Sequence, residues 1–163
     1  MSGNMFVRFN NPRITGSSKI KGHEGDVEVL SWSFGASQPT SPVRSQSGGG
    51  TIERTQCAPL CFTKYIDRAS DDLLKGVWTG RPIGKVDLMC YRASGDGGAN
   101  QMGVLYLTIT LERVIVGNYE IRGEVGDLPT EHIELKYAKA TFAYSGDGGV
   151  ETISYDQATD VIA

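Results

Sequence analysis

The chain has 163 residues, 16 Lys and Arg against 19 Asp and Glu, and a formal net charge of −3. That length fits one domain able to bury about two-thirds of its unfolded surface, and a 39% apolar, 21% charged composition excludes wholesale disorder. No apolar run reaches the roughly 20 residues of a membrane-spanning helix, and the acidic balance argues against a surface that wraps nucleic acid.

Glycine is abundant, 21 residues, and clusters between short runs of β-branched and aromatic residues, the punctuation of an all-β fold. Met5 to Phe9 alternates Met, Val and Phe on one face and predicts the first strand. From Asp26 to Ser37 a period of two puts Leu30, Trp32 and Phe34 on a core face and Ser31 and Ser33 on the other. Residues 38–51 combine two prolines, three consecutive glycines and three serines, which predicts a long loop without regular structure. A strand resumes over 52–66, with Phe62 facing the core and Pro59 interrupting it.

One helix is expected from about residue 70. Ser70 is the expected N-cap, Asp71 and Asp72 suit the positive end of the helix dipole, and Gly80 with Pro82 ends it. Leu73, Leu74, Val77 and Trp78 form its apolar stripe. Strands follow over 85–94 and over 102–117, where Leu107 and Ile109 face inward and the length predicts a bend near Glu112 and Arg113. A short strand is expected over 119–125. The run from His132 to Tyr144 switches parity, which predicts a bulge near Ala138 and Lys139, and a last strand covers 150–155. Leu30, Trp32, Phe34, Phe62, Leu73, Trp78, Leu107 and Ile109 are the expected core anchors.

No catalytic constellation stands out. His23 and His132 lie beside no nucleophile in sequence and read as surface residues, and the two Gly-Asp-Gly-Gly segments offer too few oxygens for a calcium site and read as hairpin turns. Cys57, Cys61 and Cys90 are odd in number, lack C-x-x-C spacing and read as small, half-buried apolar residues of a protein made in a reducing compartment. A metal site would need His23 or His132 to converge on them. Nothing in the spacing suggests it, so neither metal nor cofactor is expected. The N-terminus carries no basic stretch followed by an apolar one, so no cleavable signal peptide is expected.

Four segments in order carry a resemblance. They are Asp26 to Gly35 (DVEVLSWSFG), Phe62-Thr63-Lys64-Tyr65-Ile66-Asp67 leading into the helix, Tyr91 to Gly95, and Tyr106 to Val114. Over nearly the whole chain they resemble the haemolysin-coregulated protein (Hcp) family, the tube protein of bacterial type VI secretion. The resemblance implies a single domain over 1–163, a small β-barrel of two antiparallel sheets with one short α-helix at the side, an extended loop at 38–51 and a polar tail at 156–163. It implies a non-enzymatic subunit assembling as hexameric rings that stack into a tube, inside a contractile sheath with a baseplate and a spike protein. Small effectors would ride in the lumen, with neither nucleic acid nor membrane insertion involved and no fused effector domain. The protein would sit in the bacterial cytoplasm before firing and then be secreted, or reach a target cell, without a signal peptide. Ser31 and Ser33 then become candidates for the lumen wall, and Pro39, Pro42, Val43, Arg44 and Gln46 for contacts between stacked rings. The rival expectation is a monomeric β-domain acting as a binding or carrier module.

Overall fold

In the computed structural model the described residues are 4–39, 54–93, 103–146 and 148–163. Pro42, Val43, Arg44 and Gln46 lie outside them, as do most of the 38–51 loop and the Gly95–Gly98 turn. The elements are β1 (Met5–Asn10), β2 (Val27–Glu28), β3 (Ser31–Ser33), β4 (Ala36–Ser37), β5 (Gln56–Cys57), β6 (Leu60–Tyr65), α1 (Ser70–Thr79), β7 (Ile83–Arg92), β8 (Val104–Arg122), β9 (Thr130–Gly146), β10 (Gly149–Asp156) and β11 (Val161–Ile162). The fold is mainly β, antiparallel throughout, with the helix at its side, as the sequence implied.

The expected two sheets are one branched sheet and a small companion. In the nine-stranded sheet seven strands run in the order β11-β10-β9-β8-β7-β1-β2, while β6 pairs the first half of β9 and carries β3 on its other edge; β4 and β5 pair separately. The branch exists because β9 is long: Thr130 to Leu135 pairs with β6 and Lys139 to Gly146 with β10, while β8 pairs along both halves. β8 also runs unbroken to Arg122, so the separate strand expected over 119–125 is its far end. The sheet curls round one core that gathers Val7, Phe9, Val27, Phe62, Leu73, Val86, Ile109 and Ile133.

Both predicted irregularities occur, and they face each other. The β8–β9 ladder passes from Glu112↔Lys139 to Val114↔Tyr137 without pairing Arg113 and Ala138, and Arg113 has φ 54. That kink carries β9 from odd-numbered inward residues to Ala140, Phe142 and Tyr144. Arg113 and Ala138 drop out together and leave the register unchanged; the ladder's register shift comes between Val116 and Asn118, at a glycine the sequence did not single out. The tail at 156–163 ends in β11, whose Ile162 and Val161 pair with Tyr155 and Asp156.

Two anchors need correction. Leu30 is 46% exposed and Trp78 is 76% exposed. The inward parity of Val27 and Val29 breaks at the β2–β3 corner, so counting back from Trp32 puts Leu30 on the wrong side; Val29 is the buried residue. Helix α1 buries Ala69 and Leu73 and packs Val77 against the core, a stripe at i, i+4, i+8. Trp78 lies about 140° round the helix from Leu73 and so faces outward. Trp32 and Phe34 are only partly buried, packed against the core from its rim. Phe62, Leu73, Leu107 and Ile109 are buried as expected. Ser70 is the first helical residue rather than the cap: Ala69 occupies that position, Ser70 Oγ accepts from the Asp67 N–H (3.0 Å), and Asp67 Oδ1 accepts from the Ala69 N–H (2.9 Å). Gly80 closes the helix in the left-handed conformation, as the sequence predicts.

His23 is a second surprise, buried at 3% exposure instead of lying on a polar surface. Its ring stacks on Phe6 (centroids 4.1 Å apart), Nδ1 lies 2.8 Å from Asp26 Oδ2 and Nε2 lies 2.5 Å from the Tyr91 hydroxyl. Asp26 is buried and also accepts from Arg8 Nε (2.9 Å), Arg8 Nη2 (2.8 Å) and Arg13 Nη2 (3.2 Å). Burial opposes ionisation of this carboxyl, but the hydrogen bonds from Arg8, His23 and Arg13 outweigh it and hold its pKa below the ordinary value of 3.8. A depressed folded pKa contributes stability that is complete above the ordinary carboxylate value and is lost as pH falls through the folded one. Asp26→Asn should therefore lower stability at neutral pH and flatten its decline below about pH 4, read by chemical denaturation across an acid series. A wild-type decline kept intact in the variant would assign acid sensitivity to other carboxyls.

Candidate functional site

Period two sorts the β3–β6–β9–β8 region into two faces. Trp32, Phe62, Ile133 and Tyr119 are successive cross-strand partners on the core side. On the opposite side the rows read Ser33, Cys61, Glu134, Asn118 and then Ser31, Thr63, His132, Glu120. Ser31 and Ser33 are exposed, and every other member of these rows is exposed or half-buried. The two serines predicted to lie opposite the core thus do so, as part of a wider polar wall the sequence did not assemble. Its remaining members lie on β6, β8 and β9, far along the chain, and only the pairing register brings them together.

Within this wall His132 Nε2 lies 3.4 Å from Glu134 Oε1, and Arg122 Nε donates to Glu120 Oε1 at 2.7 Å. The Cys61 thiol joins the first pair: one ligand atom from each of Cys61, His132 and Glu134 lies within 4.8 Å of the others. The expectation that no histidine converges on a cysteine is corrected here. Cys61 and Glu134 are direct cross-strand partners and His132 is two residues from Glu134, a juxtaposition that sequence spacing cannot encode. Cys90 behaves as expected of a buried apolar residue, and burial pushes its thiol up to about 11.

The core side of the same strands carries a charged cluster under the start of α1. Lys64 and Glu131 are fully buried cross-strand partners. Lys64 Nζ reaches Asp67 Oδ1 (2.8 Å), Ser70 Oγ (3.2 Å) and the Tyr65 carbonyl (3.2 Å), and sits 2.5 Å from Glu131 Oε2, off the direction of a hydrogen bond. The Tyr119 hydroxyl donates to Glu131 Oε1 at 2.5 Å; burial first, then Glu131, raises its pKa. Asp67 holds the first turn of α1 in the same stroke, so Lys64 and Asp67 of the Phe62–Asp67 segment tie helix to sheet.

Beyond the core the inward face of the long strands runs on uncovered. Ile109 is 0% exposed, its partner Phe142 38% and the next partner Ile153 54%. With Phe34, Tyr137, Ala140 and Ile162, Phe142 and Ile153 line an open apolar groove. Pro39, the one loop candidate within the described residues, is half-buried near the start of that segment. No described helix is long and apolar enough to cross a membrane.

A polar wall, a buried ion cluster that fixes one side helix, and an uncovered apolar flank are features of a β-subunit made to meet other protein surfaces. The family model described as "Type VI secretion system effector, Hcp" matches residues 6–144, and the chain belongs to that family. It is 34% identical over 145 residues to "Protein hcp1" of Pseudomonas aeruginosa, covering 88% of this chain and 84% of the relative. It is 26% identical over 139 residues to that organism's "Major exported protein", covering 82% and 77%. Among solved structures, Hcp1 from Salmonella typhimurium superposes with a TM-score of 0.79 at 25% identity over the full length of both chains.

Proposed function

We propose that this chain is a non-enzymatic tube subunit of a type VI secretion system, six copies closing into a ring and rings stacking into an exported tube. The observation that carries the ring is the uncovered flank. Monomers seldom leave a contiguous inward-type face of strands open to water, and here Phe142 and Ile153 continue the row that Ile109 buries. A second copy laid against that row would complete the core. The polar wall around Ser31 and Ser33 then faces the lumen, where hydroxyls and paired charges let small effectors pass without adhering. The loop with Pro39, Pro42, Val43, Arg44 and Gln46 contacts the next ring, and sheath, baseplate and spike are the remaining partners. A relative named as exported supports export of this chain; the proposed route is from the cytoplasm outward with the tube.

Light scattering on the purified protein should give a mass near six protomers, and a strict monomer at ordinary concentration would favour a carrier module. Ile153→Asp should shift the mass to that of single protomers. Because Ile153 is 54% exposed in the protomer, the substitution should cost the protomer's own folding only about 1 kcal/mol, the span of strand propensity. Hexamers surviving that substitution would move the interface away from this flank.

A further inference from the structure

We propose that Cys61, His132 and Glu134 form a binding site for one transition-metal dication per protomer, of the zinc type, on the polar wall. The donor set is a thiol, an imidazole and a carboxylate, the chemistry that borderline-soft cations take and that Mg²⁺ and Ca²⁺ do not. Three protein donors leave a fourth position open, the arrangement of exposed rather than sealed zinc sites.

The geometry needs little adjustment. Metal–sulfur and metal–nitrogen bonds of about 2.3 and 2.0 Å place tetrahedral donor atoms about 3.3–3.7 Å apart. His132 Nε2 and Glu134 Oε1 already stand at 3.4 Å, and all three donors fall within 4.8 Å. A χ rotation of Cys61 towards that pair closes the remainder. The backbone is settled: Cys61 and Glu134 are cross-strand partners, Thr63 pairs with His132, and β9 here is flanked by β6 and β8, so the site rests on an interior strand.

The surroundings agree. The Cys61 thiol donates weakly to the Pro59 carbonyl (3.7 Å), a contact that metal binding replaces; Glu134 is its cross-strand partner on β9, and on β8 Glu120 is engaged by Arg122. Cysteine ligates a metal as its thiolate, so binding expels the thiol proton. The chemistry balances as one S–H bond broken, one metal–sulfur bond formed and one proton released to solvent, with no change of oxidation state. The site lies on the protomer and does not depend on the ring.

Cobalt(II) titrated into the reduced full-length protein is the probe. One equivalent per protomer should develop a thiolate-to-cobalt charge-transfer band, which zinc then bleaches by displacement. Cys61→Ser should abolish the band with circular dichroism unchanged, while Cys57→Ser should keep it. His132→Ala and Glu134→Gln should each weaken cobalt and zinc binding by more than about tenfold. Absence of the band in the wild-type protein, its persistence in Cys61→Ser, or unchanged affinity in His132→Ala and Glu134→Gln would each overturn the assignment. Because Glu134→Gln keeps shape and leaves Cys61 in place, it tests the donor set even should another variant fold poorly.

Discussion

Lys64→Met is expected to destabilise the protomer by about 3–5 kcal/mol, because it leaves a buried carboxyl without its cation. Lys64 and Glu131 are both fully buried, and Nζ also serves Asp67, Ser70 and the Tyr65 carbonyl. Glu131 is fully buried, so removing the ammonium leaves its carboxylate without its cation and without water to replace it. The double variant Lys64→Met with Glu131→Leu should recover most of that loss, since a pair replaced by apolar groups of similar volume costs little or even stabilises. Tyr119 then lacks an acceptor, so recovery stops short of wild type by about 1 kcal/mol. Urea denaturation of the two single variants and the double variant gives the cycle. A double variant as unstable as the sum of its singles would mean that the cluster acts through the helix start at Asp67 and Ser70 rather than through the pair itself.

Phe62→Ala should cost about 3–5 kcal/mol, the usual toll of a large aromatic removed from a closed core. Phe62 is 1% exposed, pairs with Trp32 and Ile133 across both neighbouring strands, and its ring centroid lies 6.4 Å from that of Phe9. Trp32, larger but only partly buried, should cost less on truncation to Ala, because water reaches the vacated space from the rim. The order of the two losses is the test. Equal losses, or a larger one at Trp32, would place the indole at the centre of the packing.

The pattern of residues was a good guide wherever the physics is local. Gly80 with Pro82 marks the helix end because only a residue free to adopt positive φ closes that turn. The parity switch near Ala138 was legible because alternation is a two-residue rule. Leu30 and Trp78 escaped it for local reasons too: a strand corner resets the count, and a stripe drawn one residue too wide takes in a rim position. The buried His23 cluster and the Cys61–His132–Glu134 triangle were beyond reach. Both depend on register between strands far apart in sequence, and one polar residue in a loop looks the same whether it ends in water or beneath a phenylalanine. The Lys64 cluster was half visible, in that Lys64 and Asp67 stood in the segment that carried the family resemblance, while Glu131 and Tyr119 did not.

The long ladder between β8 and β9 has a mechanical meaning. Its pairs run from Leu107↔Tyr144 to Arg122↔Thr130, and a pull along the strands loads them in shear, so they must yield nearly together. β2 pairs with β1 over only Phe6↔Glu28 and Val7↔Val27, with the Val29 N–H donating to the Met5 carbonyl beyond them, a far shorter ladder to peel. The protomer is therefore a stiff spine with softer margins, and a load applied along the strands is borne by the spine before the margins feel it.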